Sequence, residues 1–395
     1  MPAVHTFIVI NAVQTAFLLF FSLLTFVDAS AQILTGAEQL SEYLPVVCDK
    51  NVAVVANQTS TIGQRHLVDS LLSLNVKIRR IFGPEHGFRG IADAGEHLND
   101  NVDALTGLPV VSLYGKHRKP TSADLDSIDI VIFDIQDVGV RFYTYISTLH
   151  YVMEACAENN VPLMVLDRPN PNGFYIDGPT LDTLSRSFVG MHPVPLVHGL
   201  TIGEYAMMLN GEHWLAGGKL CQLMVVPCKN YSHKTHYQLP VKPSPNLPTY
   251  RSVLLYPSLG LFEGTFMSVG RGTDFPFEVV GHPDYQKAPF QFTPHSVEGA
   301  KFPPFKDVLC RGYDLRTIST DSLEQDARIN LKWLIDSYNY FLSKSDFFNS
   351  FLDKLAGADL RRQIEKGMSE DEIRQSWQKG LQNFQTIRRK YLLYE

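Results

Sequence analysis

The chain has 395 residues, enough for two domains, and at 45% hydrophobic and 19% charged it has the composition of an ordinary globular protein. Its net charge of -6 argues against nucleic acid as the main partner, because that partner needs a basic face. The 5 cysteines are odd in number and lack a Cys-x-x-Cys spacing, which gives neither a zinc signature nor a disulfide framework.

Residues 1–31 stand apart. Residues 7–27 are almost all apolar and contain no Lys or Arg, and Ala29-Ser30-Ala31 supplies small residues at a cleavage signature. The expectation is a signal peptide cut after Ala31, a secreted or periplasmic protein, and no stable membrane insertion after cleavage. The long apolar run without a basic flank leaves an uncleaved anchor as the alternative.

From residue 32 onward, strand and helix alternate. A helix over 36–43 leads to a strand over 52–56, apolar on both faces, which ends at Asn57-Gln58-Thr59-Ser60. A helix over 66–73 precedes a strand over 76–82. That strand runs into Gly83-Pro84-Glu85-His86-Gly87-Phe88-Arg89-Gly90, a turn that crowds a carboxylate, an imidazole and a guanidinium among glycines. A glycine-rich acidic loop with Asp93, Glu96 and His97 follows, then a strand over 109–114 and a weak element over 125–128. The run 128–133 is the most strand-like and stops at Asp134-Ile135-Gln136-Asp137. A helix over 145–158 carries Leu149, Val152, Met153 and Cys156 on one stripe. A strand over 161–166 ends at Asp167-Arg168-Pro169-Asn170, and a short strand is expected over 194–197. Thr201 and Glu204 form a capping box, and a last strand covers 220–226, flanked by Cys221 and Cys228 as small core or strand-end residues.

This alternation predicts an α/β fold, a Rossmann-like parallel sheet covered on both faces. No Gly-x-Gly-x-x-Gly or Walker pattern accompanies it, so no dinucleotide or nucleoside triphosphate is implied and no cofactor is expected. The proline-rich stretch 239–248 reads as a linker or rigid extended segment. It divides a domain at 32–250 from a smaller α+β domain at 251–395. In the second domain, glycine-rich loops carry Glu263 and Arg271, and Ser369 with Glu372 opens a final helix.

Parallel strands align their carboxyl ends, so the loops bearing Glu85, Asp134, Asp137 and Asp167 are expected to converge. Such acids suit a paired-carboxylate site, and Arg89, Arg141, Arg168 and Arg271 are fork donors suited to a carboxylate ligand or to bracing those acids. Phe142, Tyr143 and Tyr145 are placed either to stack on a sugar face or to fill the core. His86 and His97 lack metal-ligand spacing, and Ser147, Ser258 and Ser268 lack a nucleophile-elbow context.

Four motifs occur together and in order: Gly83 to Gly90; Phe133-Asp134-Ile135-Gln136-Asp137-Val138-Gly139 with Arg141-Phe142-Tyr143-Thr144-Tyr145; Asp167-Arg168-Pro169-Asn170-Pro171; and Glu263-Gly264-Thr265 with Gly270-Arg271-Gly272-Thr273. In this arrangement the chain resembles the exo-acting β-N-acetylmuramidase (NamZ) family, formerly a domain of unknown function. The resemblance implies a glycoside hydrolase that releases N-acetylmuramic acid from the non-reducing ends of peptidoglycan fragments. Its partners would then be peptidoglycan-derived amino sugars or muropeptides, bound in a cleft between two domains. Glu85 matches the glutamate of the family's motif and is thereby the candidate catalytic residue; its expected role is that of general acid, with Asp134 or Asp137 as base, as nucleophile or as a guide for the 2-acetamido group. Asn57, His86, Arg89, Gln136, Arg141, Tyr143, Asp167, Arg168, Glu263 and Arg271 are the expected substrate contacts. The chain departs from the family pattern at Phe266, where a polar Asn is expected. A hydrolase of another amino-sugar glycoside and a non-catalytic muropeptide-binding protein are the alternative readings on the same scaffold.

Overall fold

The runs that are apolar at every position become the centre of a seven-stranded sheet. The structure, a computed structural model, describes residues 31–90, 100–285, 288–341 and 343–395. The apolar N-terminal run and Asp93, Glu96 and His97 lie outside the described residues. The sheet comprises β1 (Asn51–Ala56), β2 (Lys77–Gly83), β3 (Asn101–Val102), β4 (Pro109–Ser112), β5 (Ile130–Asp134), β6 (Leu163–Leu166) and β7 (Leu223–Val226). Their spatial order is β3-β4-β2-β1-β5-β6-β7. The short edge strand β3 is antiparallel to β4, and every other pairing is parallel. The strand order reverses between β1 and β5, so the connections there leave in opposite directions and open a crevice at the carboxyl edge.

Alternation along each strand sorts side chains onto two faces. Val52, Val54, Ile130 and Ile132 pack with Tyr43 and Val47 of α1 (Leu40–Val47) and with Leu67 and Leu71 of α2 (Leu67–Ser73). Ala53, Val55, Val131 and Phe133 face the other way, against Leu149 and Val152 of α3 (Tyr145–Asn159) and Tyr205 and Leu209 of α4 (Ile202–Gly211). The capping box expected at Thr201 and Glu204 opens α4.

The second core continues without a break into the C-terminal part. That part contains α5 (Tyr250–Leu259), then an antiparallel sheet in the order β8-β10-β9, made from β8 (Val279–His282), β9 (Phe290–Phe292) and β10 (Cys310–Asp314). Five helices follow: α6 (Thr320–Asp326), α7 (Lys332–Tyr340), α8 (Phe351–Ala356), α9 (Ala358–Glu365) and α10 (Glu370–Arg388). Leu334, Trp377 and Phe384 join the core of the large sheet, and Leu34–Glu395 forms one compact unit. Ser369 and Glu372 cap α10 reciprocally, as their spacing implies.

Two elements differ from expectation. Residues 194–197 form no strand; Val197 makes only isolated bridges, to Val140 and Asp177. Residues 256–265 are not an open loop, because α5 continues to Leu259 and a 3-10 turn follows over Gly260–Gly264. Of the two readings of the proline-rich stretch, the rigid segment fits its contacts: the Gln58 amide donates to the carbonyls of Lys242 and Pro243, and Asn246 donates to Gly299. All five cysteines are free thiols, with Cys221 and Cys228 buried. Among the described residues, no helix is long and apolar enough to cross a membrane.

Candidate active site

The strand β2 delivers its motif directly to the carboxyl edge of the sheet. Gly87 N–H donates to the Pro84 carbonyl at 2.9 Å, closing a turn around Glu85 and His86. His86 takes φ +67 and Gly87 φ +76, so a left-handed corner begins on a non-glycine residue. A side chain at Gly90, also at positive φ, would overlap Gln58, the residue that ties down the proline-rich strap. The turn thereby presents the Glu85 side chain to a cavity of about 420 Å³.

Four groups of residues wall this cavity. Glu85 and His86 come from the turn, with Tyr114 and Arg118 after β4. Tyr143, Thr144 and Tyr145 lead into α3, and Ser187 and Phe188 come from the loop beyond β6. The strap contributes Ser244 and Asn246. The C-terminal part adds Tyr256, Glu263, Arg271, and Phe351, Lys354 and Leu355 from one face of α8. The strap is held to the sheet by Tyr143, whose hydroxyl donates to Pro243 at 2.7 Å, while Ser244 meets His86 Nε2 at 3.3 Å. Tyr143 packs edge-on to Tyr145 and Tyr256, and Tyr256 to Phe277, giving one wall an aromatic surface.

Two carboxylates reach this space. Thr144 donates to Glu85 Oε2 at 2.8 Å, and the Tyr114 hydroxyl also bonds Glu85. Burial and the adjoining Glu85 charge hold the Tyr114 phenol well above its ordinary value, so it remains a donor. Glu263 is gripped on one oxygen only: Arg271 Nε and Nη2 both donate to Oε1, at 3.1 and 2.7 Å. Its Oε2 accepts no hydrogen bond among the described residues. Burial works against the Arg271 charge, but Glu263 outweighs it and raises the guanidinium above its ordinary value. Arg271 also lies over the Phe277 ring, 5.0 Å from its centroid. No group of three or more His, Cys, Asp or Glu suited to a metal occurs among the described residues.

The sequence itself shows the family. A model of the N-terminal region of the exo-β-N-acetylmuramidase NamZ matches residues 52–251, and one of its C-terminal region matches residues 254–394. The chain belongs to the NamZ family. It is 41% identical to the peptidoglycan β-N-acetylmuramidase NamZ of Bacillus subtilis over 388 residues, 92% of each chain. Two crystal structures of DUF1343 family proteins from Bacteroides fragilis superpose on it. One has a TM-score of 0.87 at 45% identity and the other 0.75 at 31%. Each pairing covers 92% of this chain and 99% of the other.

Of the residues singled out by the NamZ resemblance, the structure brings Glu85, His86, Tyr143, Glu263 and Arg271 into the cavity wall. The rest lie outside it, engaged with neighbouring protein groups. Asp134 is fully buried in a two-bond pair with Arg168, at 2.5 Å to Nε and 2.9 Å to Nη2. Asp137 turns inward: Oδ1 accepts from Gly139 N–H, Oδ2 is buried with no partner among the described residues, and burial pushes its pKa up to about 7. The placement expected for these two acids, at an open cleft opposite Glu85, is thus corrected by their burial.

Arg141 is also fully buried and donates to the carbonyls of Pro179, Val194 and Leu355, so its fork braces three segments. Asp167 accepts from Arg168 N–H, Gly203 N–H, Thr201 and Tyr394. Asn57 holds Thr59 and the Tyr145 hydroxyl, and Gln136 donates to the carbonyls of Asp137 and Pro169. Arg89 pairs with Asp103. Phe266 is 51% exposed and is not part of the cavity lining.

Sequence reasoning passed over Arg118, Ser187, Ser244, Asn246 and Lys354. Ser244 and Asn246 alternate with prolines in an otherwise linker-like stretch, a pattern that could have marked a rigid polar wall. Arg118 and Lys354 carry no comparable sequence signal.

Proposed function

We propose that the cavity is the active site of an exo-acting glycoside hydrolase that removes N-acetylmuramic acid from the non-reducing ends of peptidoglycan fragments, with Glu85 as general acid. The observation that carries this reading is Glu85 itself. A turn at the carboxyl end of a central strand presents it to the cavity, and Thr144 and Tyr114 hold its orientation. In the proposed step its proton passes to the glycosidic oxygen as the bond from that oxygen to the anomeric carbon breaks, and water completes the exchange. Glu263 is the second carboxylate. Arg271 fixes one of its oxygens, and Oε2 serves the developing charge on the sugar ring or the attacking water. The aromatic wall of Tyr143 and Tyr256 suits the apolar face of a sugar. The apolar N-terminal run supports export of the chain to the compartment where peptidoglycan lies.

The test compares Glu85→Gln and Glu263→Gln on muramic acid glycosides with poor and with activated leaving groups. Glu85→Gln should lose turnover on the poor leaving group by about a thousandfold or more and much less on the activated aryl glycoside, which needs little protonation. Glu263→Gln should lose activity on both. Full activity in the Glu85 variant would remove the acid assignment. Tight binding of N-acetylmuramic acid by the wild type without cleavage of any glycoside would replace hydrolysis with a binding function.

A further inference from the structure

The arginines that the sequence offers as carboxylate forks are already engaged. Arg141 is bonded to carbonyls, Arg168 to Asp134, Arg89 to Asp103 and Arg271 to Glu263. Two other cationic side chains line the cavity. Arg118 lies with its guanidinium 4.4 Å from the centroid of the Phe188 ring. Tyr114 and Tyr151 pack against that ring in turn. Lys354 projects from α8, whose next residue, Leu355, receives the Arg141 guanidinium on its carbonyl at 2.8 Å. Neither Arg118 nor Lys354 has an anionic or hydrogen-bonding partner among the described residues. Beside Phe188, the Ser187 hydroxyl is buried in the same wall and also has no hydrogen-bond partner among the described residues. The cavity wall therefore carries two cations and one buried hydroxyl that no described residue neutralises or pairs.

We propose that Arg118 and Lys354 form the subsite that binds the lactyl carboxylate of the sugar, with Ser187 donating a further hydrogen bond, and that these residues set the preference for a muramic over a glucosamine unit. The proposal rests on the muramidase reading of the cavity and assigns its substrate selectivity. A free carboxylate gains charge-assisted hydrogen bonds from both cations. A glucosamine unit has no such group, and a stem peptide turns the carboxylate into a neutral amide.

The experiment uses the full chain, wild type and the double variant Arg118→Gln/Lys354→Gln, with two readouts. The first is kcat/KM on an aryl N-acetylmuramide and on its lactyl carboxamide. The second is the Kd of N-acetylmuramic acid and of its carboxamide by titration calorimetry. The wild type should prefer the carboxylate by about tenfold or more in both, with a KM for the acid that rises with salt while that for the amide does not. In the double variant the two forms should become nearly equal. A carboxylate preference that survives in a double variant melting at the wild-type temperature overturns the proposal, as does an equal loss for acid and amide. A wild type that cuts neither glycoside yet binds the acid selectively, with the selectivity lost in the double variant, removes the hydrolase reading and upholds the subsite.

Discussion

Thr144 stands at the N-cap of α3, yet its hydroxyl does not cap the helix; it donates instead to Glu85 Oε2 at 2.8 Å. The side chain that would ordinarily satisfy a helix N–H has been diverted to orient a carboxylate on a neighbouring loop. Thr144→Val keeps the shape and removes the donor. A hydrogen bond to a charged group contributes roughly 1.5–3 kcal/mol, so kcat should fall about ten- to a hundredfold with little change in melting temperature. A variant with wild-type kcat on a poor leaving group would mean that Glu85 needs no such guide.

The grip of Arg271 on Glu263 makes Arg271→Lys a severe change at this position. Two donors of one planar group converge on Oε1 while the same plane faces Phe277, and an ammonium cannot reproduce that geometry. We expect kcat/KM to drop by about tenfold or more, measured on the aryl muramide. Lysine performing as well as arginine would show that only the charge matters here.

Asp137 gives a stability prediction whose sign follows from burial. Its pKa is near 7 in the folded protein against an ordinary value of 3.8, so the folded state holds the proton more tightly than the unfolded chain. The stability this confers is fully present below about pH 4 and is lost as pH rises through about 7. Asp137→Asn keeps the oxygen that accepts from Gly139 and removes the ionisation. Its stability relative to wild type should therefore grow between pH 4 and 8, by on the order of 4 kcal/mol. His198, held down to about 3 by burial, works in the opposite direction, losing stability as pH falls from its ordinary 6.5 towards that value. It is present in both proteins and cancels in the comparison. A constant difference across this range in denaturant melts would contradict the buried-acid account.

Sheet and site differed in how much of them the sequence carried. The strands β1, β5 and β6 are buried on both faces, which leaves near-continuous apolar runs that can be read directly. The helix α5 was hidden by Pro257 and by the prolines before it, since both suggest extended chain although a tertiary core supports the helix. At the site, Glu85 was legible because its whole motif is local. Asp134 and Arg168 were each plausible as ligands, because nothing in one dimension reveals that they bond to each other. Lys354 sits on a six-residue helix whose inward face is visible only once Gly264 and Arg141 are seen to hold it.

That hold offers a further test. A Cβ at Gly264 would lie 2.5 Å from Leu352 Cα and 2.7 Å from its backbone nitrogen, so the obstacle is the backbone of α8 rather than a movable side chain. Gly264→Ala should cost about 1–3 kcal/mol in a denaturant melt and lower kcat/KM, because α8 carries Lys354 into the cavity. Unchanged stability would mean that α8 can slide without consequence.

The Pro243 carbonyl is a shared anchor of the cavity wall. Donors from Gln58 and Tyr143, and more distantly Tyr145 at 3.5 Å, converge on Pro243, so the strap and two loops of the sheet share a single reference point. A lineage that set out to admit a bulkier substrate would find this side of the chamber closed to gradual change, since widening it means releasing several donors at once. Divergence within the fold has an easier route on the opposite side, where Ser187, Phe188 and the short α8 can be altered one residue at a time.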